Sequence, residues 1–219
     1  NLLSTNFTFF KFKSEHKVCI GLNLNHFYKM LKSIKKKDSL QLIIEEDKPH
    51  ELYIKTIPKE NTRITTSGIK IQMIQNLDIE LPEGYNKPII ISSNEFHKMC
   101  KDLISIGSSN IKVYAKDYKI EFLADVDGIL QRKVTFGSEE SDDDEEDSDD
   151  IPYIATFDTD QLSRINKIAG LSSFIQIYTS KNKEIPLLLK TNIGNLGNIS
   201  IIIKSNEIVQ EEMLRLYNS

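Results

Sequence analysis

Apolar and polar residues alternate along much of this chain, which is typical of β-strands that have one solvated face. The run IKIQM at residues 69–73 and the run YKIEF at residues 118–122 show this most clearly. Similar runs predict strands at residues 7–12, 18–24, 40–45, 52–57, 69–75, 87–91, 111–115, 118–124, 130–136, 153–157, 174–178, 187–191 and 199–204. The pattern therefore predicts mainly antiparallel sheets with few helices.

Three short segments interrupt the strands with the spacing of a helix, and they begin at Phe27, Phe96 and Leu162. One side of the first two is apolar at about 100° per residue. These apolar residues are Phe27, Met30, Leu31 and Ile34 in the first, and Phe96, Met99, Cys100 and Leu103 in the second. In the second segment, Ser92 with Glu95 predicts a capping box at the start, and Gly107 predicts the end.

The three segments also carry cations at matched positions. These are Lys29 and Lys32, Lys98 and Lys101, and Arg164 and Lys167. One such helix would most simply be a solvated face, but the threefold recurrence indicates a repeated unit with one continuous positive surface. Such a surface suits phosphates and gives weak, salt-sensitive binding that is independent of base sequence.

Charge is unevenly distributed along the 219 residues. Residues 139–150 hold ten acids and no base, so without them the net charge changes from −4 to +6. Such a dense acidic run predicts a disordered surface loop at residues 138–150, most simply a solubilising insertion. Residues 78–88 contain Pro82, Gly84 and Pro88 without periodicity, which predicts a connector between a domain at residues 1–77 and a domain at residues 89–219.

Motifs of catalysis and metal binding are missing from the sequence. The four histidines form no HExxH, and no phosphate-binding loop, GxGxxG or GxSxG is present. The two cysteines, Cys19 and Cys100, form no CxxC pair and indicate buried free thiols in a reducing compartment. We therefore expect no enzyme, no metal, no cofactor and no membrane span.

Several stretches resemble the proliferating cell nuclear antigen family of DNA sliding clamps. The most specific is SNEFHKMCKDLISIG at residues 93–107, and IGLNL at 20–24, NLDIE at 76–80, LSS at 171–173 and IPL at 185–187 extend the likeness. The resemblance implies an α+β DNA-clamp fold of two similar domains, whose short helices line a ring. Three subunits would close head to tail around duplex DNA in the nucleus and tether polymerases, a clamp loader and other proteins that carry the PIP motif.

The resemblance also implies site residues. The DNA-facing cations would be Lys29, Lys32, Lys98, Lys101, Arg164 and Lys167. The partner-peptide pocket would be Leu81, Pro82, Tyr85, Pro186, Ile202, Ile203, Lys204 and Ser205. The subunit interface would pair one strand, Gly68, Ile69, Lys70, Ile71, Gln72 and Met73, with another, Gln131, Arg132, Lys133, Val134, Thr135 and Phe136, of the next copy.

Some features depart from the family pattern. A strand–helix–strand stretch that usually precedes the position of Asn1 is absent, the connector is shorter, and Ile202 and Ser205 replace an aromatic residue and a proline. Two alternatives to a self-closing clamp remain. One is a specialised, checkpoint-type subunit of a heterotrimer, and the other is a peptide-recruiting module that does not encircle DNA.

Overall fold

A computed structural model describes residues 2–15, 18–60, 63–75, 80–137 and 151–218. The chain divides into two compact units: Lys11–Glu80 forms the smaller, and Asn1–Phe10 with Leu81–Ser219 forms the larger. The predicted acidic loop at residues 138–150 and the first two residues of the predicted connector lie outside the described residues.

The described residues of the smaller unit form one helix against short antiparallel strands. Its elements are β1 Ile20–Gly21, α1 Leu24–Leu31, β2 Ser39–Ile43, β3 Glu51–Ile57, β4 Thr65–Lys70 and β5 Gln72–Met73. Strands β2, β3 and β4 form one sheet in that order, and β1 pairs with β5. The Asn23 side chain accepts hydrogen bonds from the backbone of Asn25 and His26, which fixes the start of α1.

The core of this unit forms because α1 packs its apolar side on the strands. Leu52, Ile69 and Ile71 are buried there, and Phe27 and Met30 of α1 pack against them. The side predicted to be apolar is thus the one that faces the core, and Lys29 and Lys32 remain exposed.

The larger unit contains two four-stranded antiparallel sheets and three α-helices among its described residues. Its elements are β6 Ile89–Ser92, α2 Ser93–Ser105, β7 Asn110–Lys116, β8 Lys119–Val126, β9 Leu130–Phe136, β10 Tyr153–Asp158, α3 Thr159–Ile165, a 3₁₀ turn Asn166–Gly170, β11 Phe174–Tyr178, β12 Leu187–Ile193, β13 Gly197–Ile203 and α4 Asn206–Tyr217. The sheet orders are β10-β7-β8-β9 and β13-β12-β11-β6.

A single apolar cluster joins both sheets of the larger unit to α2. Phe96 and Leu103 of α2 are fully buried, together with Phe122 from one sheet and Ile175 from the other. Alternation places every second residue of β6, β7 and β8 in this cluster. The predicted fold class, antiparallel sheets with a few short helices, is confirmed.

Several local predictions are wrong, for identifiable reasons. Residues 7–12 form no strand, because no described strand pairs with them. The predicted strand at 18–24 shrinks to Ile20–Gly21, since Asn23 caps α1. The predicted strand at 69–75 breaks at Ile71, whose N–H bonds to the carbonyl of His50.

The start of one helix differs from the sequence prediction, and another helix was not predicted. Ser92 precedes α2 but its side chain makes no capping hydrogen bond, and Glu95 binds Lys98 instead. Gly107, with a φ of 80°, follows the helix as predicted. The fourth helix, α4, was not predicted, although Ser205 accepts a hydrogen bond from the backbone of Ile208 as its N-cap.

The first residues of the chain belong with the larger unit, whereas the sequence assigned residues 1–77 to one domain. The N–H of Leu3 donates to the carbonyl of Leu196 at 2.9 Å, and Leu2 forms an antiparallel bridge to Gly197. This backbone pairing attaches the segment to the β12–β13 hairpin.

Candidate nucleic-acid and peptide interfaces

All six cations of the repeated segments have exposed side chains. Lys29 lies in the last turn of α1, and Lys32 caps its end. Lys98 and Lys101 lie on α2, whose opposite side is buried. Arg164 lies in the last turn of α3, and Lys167 lies in the 3₁₀ turn that follows.

The two basic segments of the larger unit lie next to each other. The α2 helix packs against α3 and against the 3₁₀ turn. A ring nitrogen of His97 lies 3.4 Å from the carbonyl oxygen of Asn166, which joins the two segments beside their cations. The larger unit thus presents Lys98, Lys101, Arg164 and Lys167 on neighbouring helical segments.

Lys98 differs from the other cations because an acid already binds it. Its Nζ donates to Oε1 of Glu95 at 2.7 Å. This hydrogen bond, with the charge of Glu95, raises the pKa of Lys98. The other five cations form no ion pair with any described residue, so their full charge is available to an anion.

Residues 81–88 of the connector are held on the larger unit by their own backbone and by Tyr85. The Tyr85 hydroxyl donates to the carbonyl of Pro186 at 2.9 Å, and its ring packs edge-on against Tyr178 at 6.2 Å. The Ser180 hydroxyl donates to the carbonyl of Gly84 at 2.7 Å. Burial raises the pKa of Tyr85, so its hydroxyl stays protonated and keeps donating at neutral pH.

The predicted peptide pocket is only partly brought together. Tyr85 and Pro186 are in contact, Leu81 is exposed, and Pro82 and Ile202 are half-buried. Ile203 belongs to the hydrophobic core and Ser205 caps α4, so neither side chain is open to a peptide. Lys204 is exposed but bound to Glu212 at 2.6 Å.

The predicted interface strands are both at sheet edges, where unpaired backbone groups can bind another strand. Among the described residues, β4 pairs only with β3, and β9 pairs only with β8. Two predicted interface residues are placed otherwise: Gln72 and Met73 pair with Gly21 and Ile20 inside the smaller unit. The available edge of that strand is therefore Thr65–Lys70.

Some side chains on these edge strands already have partners within the chain. Arg132 of β9 donates to the carbonyl of Asp102 at 2.8 Å and to the Ser105 hydroxyl at 3.1 Å. Lys133 lies 3.5 Å from the carboxylate of Glu121. Ile69 is buried and stabilises the smaller unit, so it offers backbone alone.

Other classes of site receive no support from the described residues. No cluster of His, Cys, Asp or Glu in them could hold a metal ion. None of the helices in this part of the chain is both long and apolar enough to cross a membrane. Cys100 is buried, and burial raises the pKa of its thiol to about 12, so it is protonated and unreactive at neutral pH.

Comparisons with known proteins match both halves of the chain. The model of the C-terminal domain of proliferating cell nuclear antigen matches residues 80–212, and that of the N-terminal domain matches residues 1–81.

Individual relatives are distant in sequence. A probable DNA polymerase sliding clamp 1 of Paramecium bursaria Chlorella virus 1 is 25% identical over 201 residues, which cover 90% of this chain and 75% of the viral protein. A probable DNA polymerase sliding clamp of Acanthamoeba polyphaga mimivirus is 23% identical, over 92% of this chain and 43% of that protein. The proliferating cell nuclear antigen of Chaetomium thermophilum is 27% identical, over 85% of this chain and 72% of the fungal protein.

Because the two family models together span residues 1–212, and the described residues form the expected antiparallel sheets and short helices, the chain belongs to the proliferating cell nuclear antigen family of DNA sliding clamps.

Proposed function

We propose that this chain is a subunit of a ring that encircles duplex DNA and tethers replication and repair proteins to it. The match of both domain models carries this proposal. The ring acts without chemistry of its own: it raises the processivity of a bound polymerase because it cannot leave the duplex sideways. It works in the nucleus, where it meets polymerases and a clamp loader.

The exposed cations support the DNA-binding part of the proposal. Five of the six have no acidic partner in the described chain, and all lie on helical segments whose opposite side packs against a hydrophobic cluster. Contacts of this kind bind phosphates without reading bases, so the ring can slide. These few contacts are too weak to keep the protein on the DNA, so the closed ring keeps it there by encircling the duplex.

The connector supports the tethering part of the proposal. Tyr85, held by Pro186 and Tyr178, gives residues 81–88 a fixed path, and the exposed Leu81 and the half-buried Ile202 offer apolar surface. A partner peptide of the PIP type would place its apolar side chains there. A preformed surface costs a peptide less ordering than a mobile loop.

The free edges of β4 and β9 support a head-to-tail ring. A strand added between copies gives a heterologous contact, which closes when the rotation per subunit is one third of a turn. Three copies of this chain are the simplest ring. A heterotrimer with related subunits is the second candidate, supported by the cations that both edges carry, Lys70 on one and Arg132 on the other.

The decisive experiment compares closed and open DNA. Fluorescent chain is incubated at high concentration with nicked circular plasmid, passed through a sizing column in moderate salt, and measured again after one cut by a restriction enzyme. We expect it to stay with the circle and to dissociate from the cut plasmid. Equal loss from both would contradict encirclement and favour the peptide-recruiting module.

A cation variant tests which surface faces the DNA. Lys29→Ala, Lys101→Ala and Lys167→Ala together remove three contacts, so the dependence of binding on salt should flatten by about two to three in logarithmic slope. The control is Lys112→Ala, an exposed lysine of β7 outside the repeated segments. An unchanged slope in the triple variant would show that these cations do not meet phosphates.

A further inference from the structure

The outward face of the β13-β12-β11-β6 sheet carries large apolar side chains that the fold does not need. In β6, Ile89 and Ile91 point into the core, so Ile90 points outward and is 61% exposed. In β11, Phe174 is 59% exposed on the same face. Strands with one solvated face usually carry polar residues at such positions.

These residues form the floor and wall of a groove of about 460 Å³. Leu81 of the connector also lines the groove, and Gln176, Asn192 and Ser200 add hydrogen-bonding groups. A volume of this size lies within the range of sites that take several side chains or a small ligand.

The groove has one cation and no acid among the residues that line it. Lys190 lies between Gln176 and Ser200 in the sheet register and lines the groove. Its Nζ lies 4.9 Å from the centre of the Tyr178 ring, and it forms no ion pair with any described carboxylate. The charge therefore favours a ligand with a carboxylate beside an apolar group.

The groove is continuous with the surface that we assign to partner peptides. Tyr178, beneath Lys190, is the residue whose ring packs on Tyr85, and Leu81 is shared by the groove and the predicted pocket. A single lysine among three apolar and six uncharged polar residues does not suit a nucleic-acid backbone, which needs repeated cations. A peptide that leaves the connector pocket would enter the groove directly.

We propose that the groove is a second subsite for the same partner peptides: an apolar side chain enters between Leu81, Ile90 and Phe174, and an acidic residue next to it binds Lys190. This proposal rests on the proposed docking of peptides at the connector. The subsite selects partners whose motif is flanked by an apolar and an acidic residue.

The test uses the whole chain and four labelled peptides. The first is an unextended PIP-motif peptide. The second and third carry Leu-Ala-Asp-Glu added at the amino end and at the carboxyl end of that peptide, respectively. The fourth is the tighter-binding of these two extended peptides, with its two added acids replaced by lysines. We expect one acidic extension to tighten binding about five- to tenfold. In Lys190→Glu this gain should disappear for the acidic peptide and return for the lysine peptide.

Control variants separate the two subsites. Lys112→Glu makes the same change of charge on the other sheet of the larger unit and should leave the gain intact. Tyr85→Ala should weaken all four peptides and keep the ratio between the extended and unextended forms. Equal affinity of the extended and unextended peptides, or a gain that Lys190→Glu does not remove, overturns the second subsite.

Isoleucine-methyl NMR of the whole chain gives an independent measurement. The Ile90 methyl, assigned with Ile90→Val, should shift with the extended peptide alone, whereas Ile202 should shift with both. If the Ile90 methyl does not shift, the proposed peptide subsite in the groove is wrong. If only the Ile202 methyl does not shift, the proposed docking of peptides at the connector is wrong, and the groove result stands by itself. A shift of Ile90 that depends on protein concentration, without peptide, assigns the groove to a second copy and also overturns the proposal.

Discussion

Gly84 controls the path of the connector through its backbone. Its φ is 93°, a region that residues with a side chain rarely adopt, and an added Cβ would lie 3.2 Å from Cδ1 of Ile185. Gly84→Ala should lower the free energy of unfolding by about 1–2 kcal/mol and weaken peptide binding. Urea unfolding measures the first effect and peptide titration the second.

The matched control for this change is Gly170→Ala. No atom lies within 4 Å of a Cβ at Gly170, and its backbone is not in the left-handed region. It should change stability by less than about 0.5 kcal/mol. Equal effects of the two substitutions would show that the connector tolerates another path.

Glu95 limits the charge that Lys98 offers to DNA, so removing it should strengthen binding. Glu95→Gln takes away the acid 2.7 Å from the Lys98 ammonium and leaves a side chain of the same size. We expect severalfold tighter binding to a short duplex at low salt and a steeper salt dependence by up to about one unit. Glu211→Gln, an exposed change on α4, is the control, and a larger effect there would contradict this role of Glu95.

The same pair shows what a sequence can and cannot specify for one residue. The repeat predicted six exposed cations, since helical phase alone separates the two sides of each segment. The predicted partner of Glu95, the backbone at Ser92, was wrong, because this residue is spaced to reach either that backbone or the Lys98 side chain. A side-chain rotamer decides between them.

At the scale of elements, the carboxylate of Glu207 anchors α4 to the sheet, beside a hydrogen bond from Asn206 to Asn110. Both oxygens of Glu207 accept from the N–H of Thr156 in β10, each at 3.1 Å. Partial burial opposes ionisation, but hydrogen bonds from the backbone of Glu207 and Thr156 lower the pKa of this carboxyl overall. Since the folded pKa is lowered, the stabilisation is complete above the ordinary glutamate pKa of about 4.3 and is lost as pH falls through the folded value.

Glu207→Gln should therefore destabilise the chain at pH 7 by up to about 1 kcal/mol, a value kept small because the site is partly solvated. The difference from the unmodified chain should shrink between pH 5 and pH 3. Thermal unfolding across this range, with hydrogen exchange at residues 208–217, measures both. Glu211→Gln, an exposed change on the same helix, should show no such convergence, and a constant difference for Glu207→Gln would contradict the anchor.

The wrong predictions of secondary-structure elements have identifiable physical causes. Strand predictions held where a partner strand lay nearby in sequence, as for β7, β8 and β9. They were wrong at residues 7–12, where alternation is present but the described chain supplies no partner. The α4 helix was missed since only Ile208 of its residues is buried, so its apolar side is too narrow to give a periodic signal.

At the scale of the whole molecule, the repeat and the strand pattern were enough to predict the fold class, because each follows from local periodicity. The placement of residues 81–88 was not predictable in the same way. It depends on Tyr85 reaching Pro186, 101 residues later, and on Ser180 reaching Gly84. The groove was missed for a similar reason: Ile90 and Phe174 belong to apolar runs, and only the sheet shows that they face outward.

Assembly of three copies should respond to salt in the direction opposite to DNA binding. The exposed edges that would pair, β4 and β9, carry Lys70 and Arg132, which have no acidic partner among the described residues, whereas Glu121 partly neutralises Lys133 of β9. Like charges repel across the joint, and salt screens this repulsion with a length of about 10 Å at 0.1 M. Light scattering should therefore show a larger fraction of mass near three subunits in 500 mM NaCl than in 50 mM NaCl.

A charge reversal at the edge completes this test. Lys70→Glu replaces repulsion by attraction toward Arg132 and Lys133, so it should give the trimer mass already in 50 mM NaCl. Lys190→Glu makes the same change on β12, in the sheet of the larger unit that does not contain β9, and should leave the mass unchanged. If Lys70→Glu stays monomeric at high concentration in both salts, β4 does not meet β9 of a second identical copy, and the heterotrimer becomes the better assignment.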